Sequence, residues 1–206
     1  FSDMYQPEGV VVTIDGVVYQ NVADGVCTVD GVYEISNKNG MFWFANEVNA
    51  NGNNFSGKTV KLANNIDLES AAWTPVGQTG ATQFHGTFDG QNKTINGLTI
   101  NASESYSGNY ATGMFGWVET GAVIKNIVLD GAAINGYHYV GAIAGYVSGS
   151  AKIEGCEVKN SAIVADPNKK DTAGEFNGDK VGGIVGFTNS SNVINSNKVS
   201  ATTIKG

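Results

Sequence analysis

"VGAIAGYVSGSAKIEGCEVKNSAI" (140–163) lies over "VGGIVGFTNSSNVINSNKVSATTI" (181–204) without a gap. Gly141, Ile143, Gly145, Tyr146, Ile153, Val158 and Ile163 fall on Gly182, Ile184, Gly186, Phe187, Ile194, Val199 and Ile204, at a constant offset of 41. Upstream, "GMFGWVETGAVIKNIVLDGAAI" (113–134) aligns at an offset of 29, with Gly116 on Gly145, Trp117 on Tyr146, Ile124 on Ile153 and Leu129 on Val158. The same offset carried to "GTFDGQNKTINGLTI" (86–100) sets Phe88 on Trp117, Ile95 on Ile124 and Ile100 on Leu129. Four copies result, and the polar "DPNKKDTAGEFN" (166–177) accounts for the longer last step as an inserted loop.

Each copy reads as a strand, a bend and a second strand. Alternation sends one side chain inward and the next outward. The bend falls on Gly97, Asn126, Gly155 and Ser196, residue types that tolerate a tight or left-handed turn. A 29-residue unit with two or three short strands cannot bury its own apolar face, but stacked units can. The expected fold is all-β: a right-handed parallel β-helix, or solenoid, in which Ile95, Ile124, Ile153 and Ile194 form one interior file. Residues 53–206 carry the repeats. In residues 36–52, Met41, Phe44, Ala45 and Val48 follow helical spacing and Gly52 supplies a stop, which predicts a short capping helix over the open first coil. Residues 1–35 alternate around Asp15-Gly16 as a small β-hairpin appendage. The last coil reaches Ile204 with no evident cap, so the natural chain is expected to continue, or a partner to cover that end.

Composition narrows the function. The 206 residues include 28 glycines, 3 prolines, twelve lysines and no arginine, with a formal net charge of −7. Such a chain repels phosphate and lacks the usual bidentate phosphate grip, which argues against nucleic-acid binding. No apolar run approaches the roughly 18 residues of a membrane span, so no transmembrane segment is expected. Cys27 and Cys156 sit among alternating apolar residues and read as small buried hydrophobes. "GNNFSGKT" (52–59) spells a phosphate-binding loop, yet a helical segment precedes it and a strand pattern follows, the reverse of the order a phosphate loop requires. It reads as a helix-to-strand turn, and no nucleotide is expected.

"GMFG" (113–116), "AIAG" (142–145) and "GIVG" (183–186) resemble the GLUG motif. "WTPVG" (73–77) followed by "FHGTFDGQNKTINGLTI" is similar to the first coil of GLUG-type β-helix proteins. The resemblance covers residues 33–206, departing at Ala142, where glycine is usual, and at Asn197, which sets a polar residue in a core column. It implies a secreted or cell-surface protein of the adhesin-like kind found on the outer surface of Bacteroidetes.

Catalytic or metal chemistry has little to build on. His85 and His138 have no ligand-spaced companions. The cluster Asp166, Asp171, Glu175 and Asp179 is broken by Lys169 and Lys170 and reads as a solvated loop. A polysaccharide lyase or glycoside hydrolase would need converging carboxylates, whereas Asp67, Asp89 and Asp130 lie in separate copies. No cofactor or metal is expected. The column Phe88, Trp117, Tyr146, Phe187 reads as a core or surface ladder whose facing the surrounding glycines obscure. The variable stretches 101–110, 134–139 and 166–180 occupy one slot in the repeat and are therefore expected to share one edge. Tyr106, Tyr110, Tyr137, His138 and Tyr139 lie there, and rigid amphipathic rings suit a glycan or a surface protein. The expected function is a non-enzymatic recognition or adhesion module; a carbohydrate-active enzyme and a passive spacer remain the alternatives.

Overall fold

The computed structural model describes residues 7–101, 111–166, 180–189 and 191–206. The chain is all-β apart from one helix, and from β4 onward its strands pair in parallel. It opens with an antiparallel meander, β1 (Val11–Ile14), β2 (Val17–Ala23), β3 (Val26–Val29) and β4 (Val32–Ile35). Asp15 and Gly16, at φ of 50° and 82°, make the β1–β2 turn anticipated from the sequence. After helix α1 (Lys38–Asn49) come β5 (Thr59–Leu62), β6 (Ile66–Asp67), β7 (Thr87–Asp89), β8 (Thr94–Asn96) and β9 (Thr99–Asn101).

The next copy supplies five strands: β10 (Ala111–Thr112), β11 (Phe115–Val118), β12 (Val123–Lys125), β13 (Val128–Asp130) and β14 (Ala133–Gly136). The same five recur as β15 (Tyr139–Gly141), β16 (Ala144–Val147), β17 (Lys152–Glu154), β18 (Glu157–Lys159) and β19 (Ala162–Ala165). They recur again as β20 (Lys180–Gly182), β21 (Val185–Thr188), β22 (Val193–Asn195), β23 (Lys198–Ser200) and β24 (Thr203–Lys205). Each of these three rungs places one strand in each of five sheets, so a copy holds five strands where the sequence suggested two or three.

Register follows the 29- and 41-residue offsets over the last three rungs: Trp117 pairs Tyr146, Ile124 pairs Ile153, Ile153 pairs Ile194, and Leu129 pairs Val158. The first copy departs from the expected alignment. Ile95 pairs Leu129, Ile100 pairs Ile134, and Phe88 pairs Ile124. Ile95 therefore lies one sheet over from Ile124, Ile153 and Ile194, and Phe88 takes the place expected for it. The cause lies in the corners. Asn126, Gly155 and Ser196 turn the chain between the third and fourth strands of their rungs, at φ of 55°, 63° and 54°. Gly97 makes the following corner, whose counterparts are Gly131, Asn160 and Ala201, all left-handed as well.

In the nine-stranded sheet one unbroken row of partners runs from Val11 through Tyr33, Phe88 and Ile153 to Ile194. Neighbouring positions face outward and alternate in charge: Glu34, Lys61, Asp89, Lys125, Glu154. Lys125 Nζ stands 3.3 Å from the buried Asp89 carboxylate. Burial pushes the Asp89 carboxyl up, but the Gln91 N–H, the Asn126 amide and Lys125 outweigh it and hold the pKa below its ordinary value. Lys125→Glu would set three carboxylates in a row, and is expected to cost roughly 1–2 kcal/mol at neutral pH. A depressed pKa contributes stability that is present above the unfolded value and lost as pH falls through the folded one. The deficit should therefore narrow in acid, which urea midpoints across pH would register.

Helix α1 is capped by Asn37, whose Oδ1 accepts the Gly40 N–H at 2.9 Å. It buries Met41, Phe44, Ala45 and Val48, the face expected from their spacing. Phe44 enters a cluster with Phe55, Phe84, Phe88 and Phe115. Asn49 pins the helix to the chain below, accepting the N–H groups of Gly77 and Gln78 and donating to the Pro75 carbonyl. "GNNFSGKT" links α1 to β5 and delivers the fully buried Phe55, a helix-to-strand connection as anticipated. Cys27 and Cys156 are buried free thiols, and burial pushes Cys156 up to about 11.

At the far end polar side chains meet backbone. Asn197, the polar residue noted in the core column, accepts the Cys156 N–H and donates to the Ile153 carbonyl, both at 2.9 Å. Asn192 accepts the Ala151 N–H in the same manner. These amides satisfy backbone groups of the rung below, so an asparagine there costs the core little.

Candidate functional site: an aromatic face beside the loop slot

Phe115 and Val118 are three residues apart and both fully buried, so strict alternation fails in β11. The ladder registers Phe115 with Ala144 and Trp117 with Tyr146 but skips the glycines between them. Gly116 and Gly145 lie where an added Cβ would meet backbone at 2.5 and 2.4 Å, so close approach leaves no room for a side chain. With parity broken there, Trp117 and Tyr146 stay half-buried while their strand neighbours fill the core, and Phe187 is half-buried on the last rung.

These three rings stack along the rungs, with centroids 4.2 Å apart for Trp117–Tyr146 and 5.3 Å for Tyr146–Phe187. Phe88, expected in the same column, belongs to the core row of the nine-stranded sheet. Tyr139 joins from β15, stacked 4.9 Å from Phe187 and 5.4 Å from Tyr146, and His138 packs on Tyr139 at 4.3 Å. Lys180 Nζ lies 5.1 Å from the Tyr139 ring centre and 5.4 Å from that of Phe187, within cation–π range. Asn189 donates to the Tyr146 hydroxyl at 2.7 Å. Burial raises the Tyr146 pKa, with Glu119 and Tyr139 adding to it, so the hydroxyl stays protonated at neutral pH. Two buried polar atoms on this face, Trp117 Nε1 and Asn189 Oδ1, have no hydrogen-bond partner among the described residues.

The strands that flank the variable stretches, β9, β14 and β19 before them and β10, β15 and β20 after them, pair with one another, while residues 102–110 and 167–179 of these stretches lie outside the described residues. Within 134–139, Ile134 to Gly136 belong to strand β14, leaving Tyr137 and His138 as the connection. Tyr139 pairs Ala111 below and Lys180 above. Tyr137 is 8% exposed and lines a cleft of about 250 Å³ with Trp73, Ile100 and Thr112. Tyr106, Tyr110 and most of the acidic cluster lie outside the described residues. Of the five expected site residues, His138 and Tyr139 thus meet on the aromatic face, and Tyr137 stands in the wall of the cleft. Lys180 and Asn189 were not anticipated, although Lys180 is the 41-residue counterpart of Tyr139 and could have been found that way.

The carboxylates considered for catalysis are engaged in the sheets. Asp89 holds Lys125 and Asn126, Asp130 holds Lys159 and Asn160, and Asp67 accepts the Glu69 N–H. Among the described residues no group of three or more His, Cys, Asp and Glu is placed to hold a metal ion. No helix of these residues is long and apolar enough to cross a membrane.

No known family profile matches the chain, and no solved structure matches it. It is similar to a protein named Halomucin from Haloquadratum walsbyi (strain DSM 16790 / HBSQ001), with 32% identity over 120 residues. That match takes in 58% of this chain and 1% of the relative, so the chain spans about one hundredth of the length of the curated relative it matches.

Proposed function

We propose that this chain is a GLUG-type, right-handed parallel β-helix that serves as a non-enzymatic recognition or adhesion module in a secreted or cell-surface protein. The parallel, in-register recurrence of five strands per rung supports the helical winding. The name Halomucin, which speaks of a mucin, supports an extracellular setting.

The observation that carries the binding role is the half-buried stack Trp117, Tyr146, Phe187 with Tyr139 beside it, bordered by Lys180, His138 and Asn189. Rigid rings give apolar area at little entropic cost, and the hydroxyl, ammonium and amide groups at their rim supply direction. That combination suits the apolar face and hydroxyl rim of a sugar ring, or an exposed protein segment. In glycan arrays and in pull-downs from surface material, Tyr139→Ala and Tyr146→Ala are each expected to weaken retention at least about tenfold, the scale of one aromatic anchor. Retention unchanged in both variants would remove the aromatic face from the binding role. Incubation with pectic and mucin-type glycans should yield no new reducing ends or unsaturated sugars, and either product would favour the carbohydrate-active alternative.

A further inference from the structure

The cleft of about 250 Å³ beside Tyr137 shares no residue with the aromatic stack. Its apolar wall is held rigidly. Trp73 is 4% exposed, its Nε1 donates to the Met114 carbonyl at 2.9 Å, and its ring centroid lies 5.5 Å from that of Phe42. Ile100 and Tyr137 complete the wall.

Polar groups that the fold leaves unused open onto the same space. Thr112 lines the cleft and is 5% exposed, yet its hydroxyl has no hydrogen-bond partner among the described residues. A buried hydroxyl without a partner is destabilising, and the stacking does not demand one here. Val140 and Val181 hold the same place in the next two rungs. Gly136, where an added Cβ would come within 2.7 Å of Thr112 Oγ1, leaves the hydroxyl its room. At the border of the cleft the side chains of Ser70, Thr74, Gln78 and Asn101 likewise make no hydrogen bond among the described residues. No lysine, aspartate or glutamate is among the described residues that line it, so an ion would enter without a counter-charge. The volume lies just under the roughly 300 Å³ at which pockets for drug-sized ligands begin, which leaves space for one ring-sized unit.

We propose that this cleft binds one neutral pyranose unit, its apolar ring face against the Trp73 wall and one of its hydroxyls bonded to Thr112 Oγ1. The hydroxyl and amide groups at the border can each donate and accept, as the rim of an uncharged sugar does. An aromatic wall with a polar border suits such a ring better than a wholly apolar or a charged ligand. A second hollow, bordered by Phe42, Asn46 and Asn49, shares Thr74 and Gln78 with the cleft and gives an adjoining sugar unit a place. The site is separate from the aromatic face and does not rest on the reading given to that face.

The test is titration of the whole chain with the methyl glycosides of glucose, galactose, mannose, fucose and N-acetylglucosamine, followed at the Trp73 indole N–H resonance, with glucuronic and sialic acid as charged counterparts. At least one neutral glycoside should shift that resonance with a Kd in the millimolar range, and the charged sugars should bind at least about tenfold more weakly. Thr112→Val puts into this rung the residue type found in the next two, so the variant should melt no lower than wild type. Its binding should nonetheless be weaker by about tenfold, the upper scale of one lost neutral hydrogen bond. No shift with any neutral glycoside up to about 50 mM, well past the millimolar range, overturns the proposal. So does binding that Thr112→Val leaves unchanged, and so does a preference for the charged sugars. A shift that vanishes in Tyr146→Ala would place the sugar on the aromatic face and overturn it as well.

Discussion

Gly145→Val is expected to destabilise the protein by about 3 kcal/mol or more, near the upper end of what overpacking causes. The Cβ of any residue at this position would lie 2.4 Å from the Thr112 nitrogen and 2.6 Å from the Ala111 carbonyl carbon, distances that backbone cannot yield without parting the rungs. The residue does not require glycine for its dihedral angles, since its φ is not positive; only space is at issue. Gly131→Ala is the control. Its φ is +68° with nothing within 4 Å, so the loss there is conformational and about 1 kcal/mol. Equal urea midpoints for the two variants would mean that the rungs are not in such close contact at the glycine.

Phe44→Ala is expected to cost about 3–5 kcal/mol, the range for a large buried ring. The side chain is 0% exposed, and its ring centroid lies 5.1–5.7 Å from those of Phe55, Phe84 and Phe88. These partners come from the connection after the helix, from the approach to β7 and from β7 itself. Removing one ring therefore loosens three segments together, and hydrogen exchange should speed up across α1 and β7 alike. A loss below about 1 kcal/mol would show that the helix rests on the first rungs without closing them.

The last three rungs could be read from sequence because the glycine pair and the aliphatic positions recur with fixed spacing, and the matches that fall on strands, such as Trp117 with Tyr146, Ile153 with Ile194 and Val158 with Val199, survive as registered pairs. The first copy was misread for a specific reason. Ile124, Leu129 and Ile134 follow one another at intervals of five, each the second residue of its strand, with a two-residue corner between successive strands. One side of the rung therefore looks like the next, and "TINGLTI" matches both "VIKNIVL" and the segment five residues further on. The true register holds the second match, which becomes visible only once the longer corner from Gly90 to Lys93 is admitted. The aromatic face was half legible: the column of Trp117, Tyr146 and Phe187 was evident, but its facing depends on where Gly116 interrupts the alternation. That interruption is a matter of backbone contact between rungs, which no single rung encodes.

The interval of five carries a meaning for how such a chain finds its frame. Neighbouring sides of a rung share composition, so a strand arriving early finds the wrong groove nearly as welcoming as the right one. The corner from Gly90 to Lys93 spoils this symmetry at the rung on which the three five-stranded rungs are stacked, because a four-residue bend cannot be superposed on a two-residue one. Helix α1 fixes the starting point on the other side through Asn49. Together they act as a start signal that sets the reading frame once, after which each later rung has only to copy the one before it.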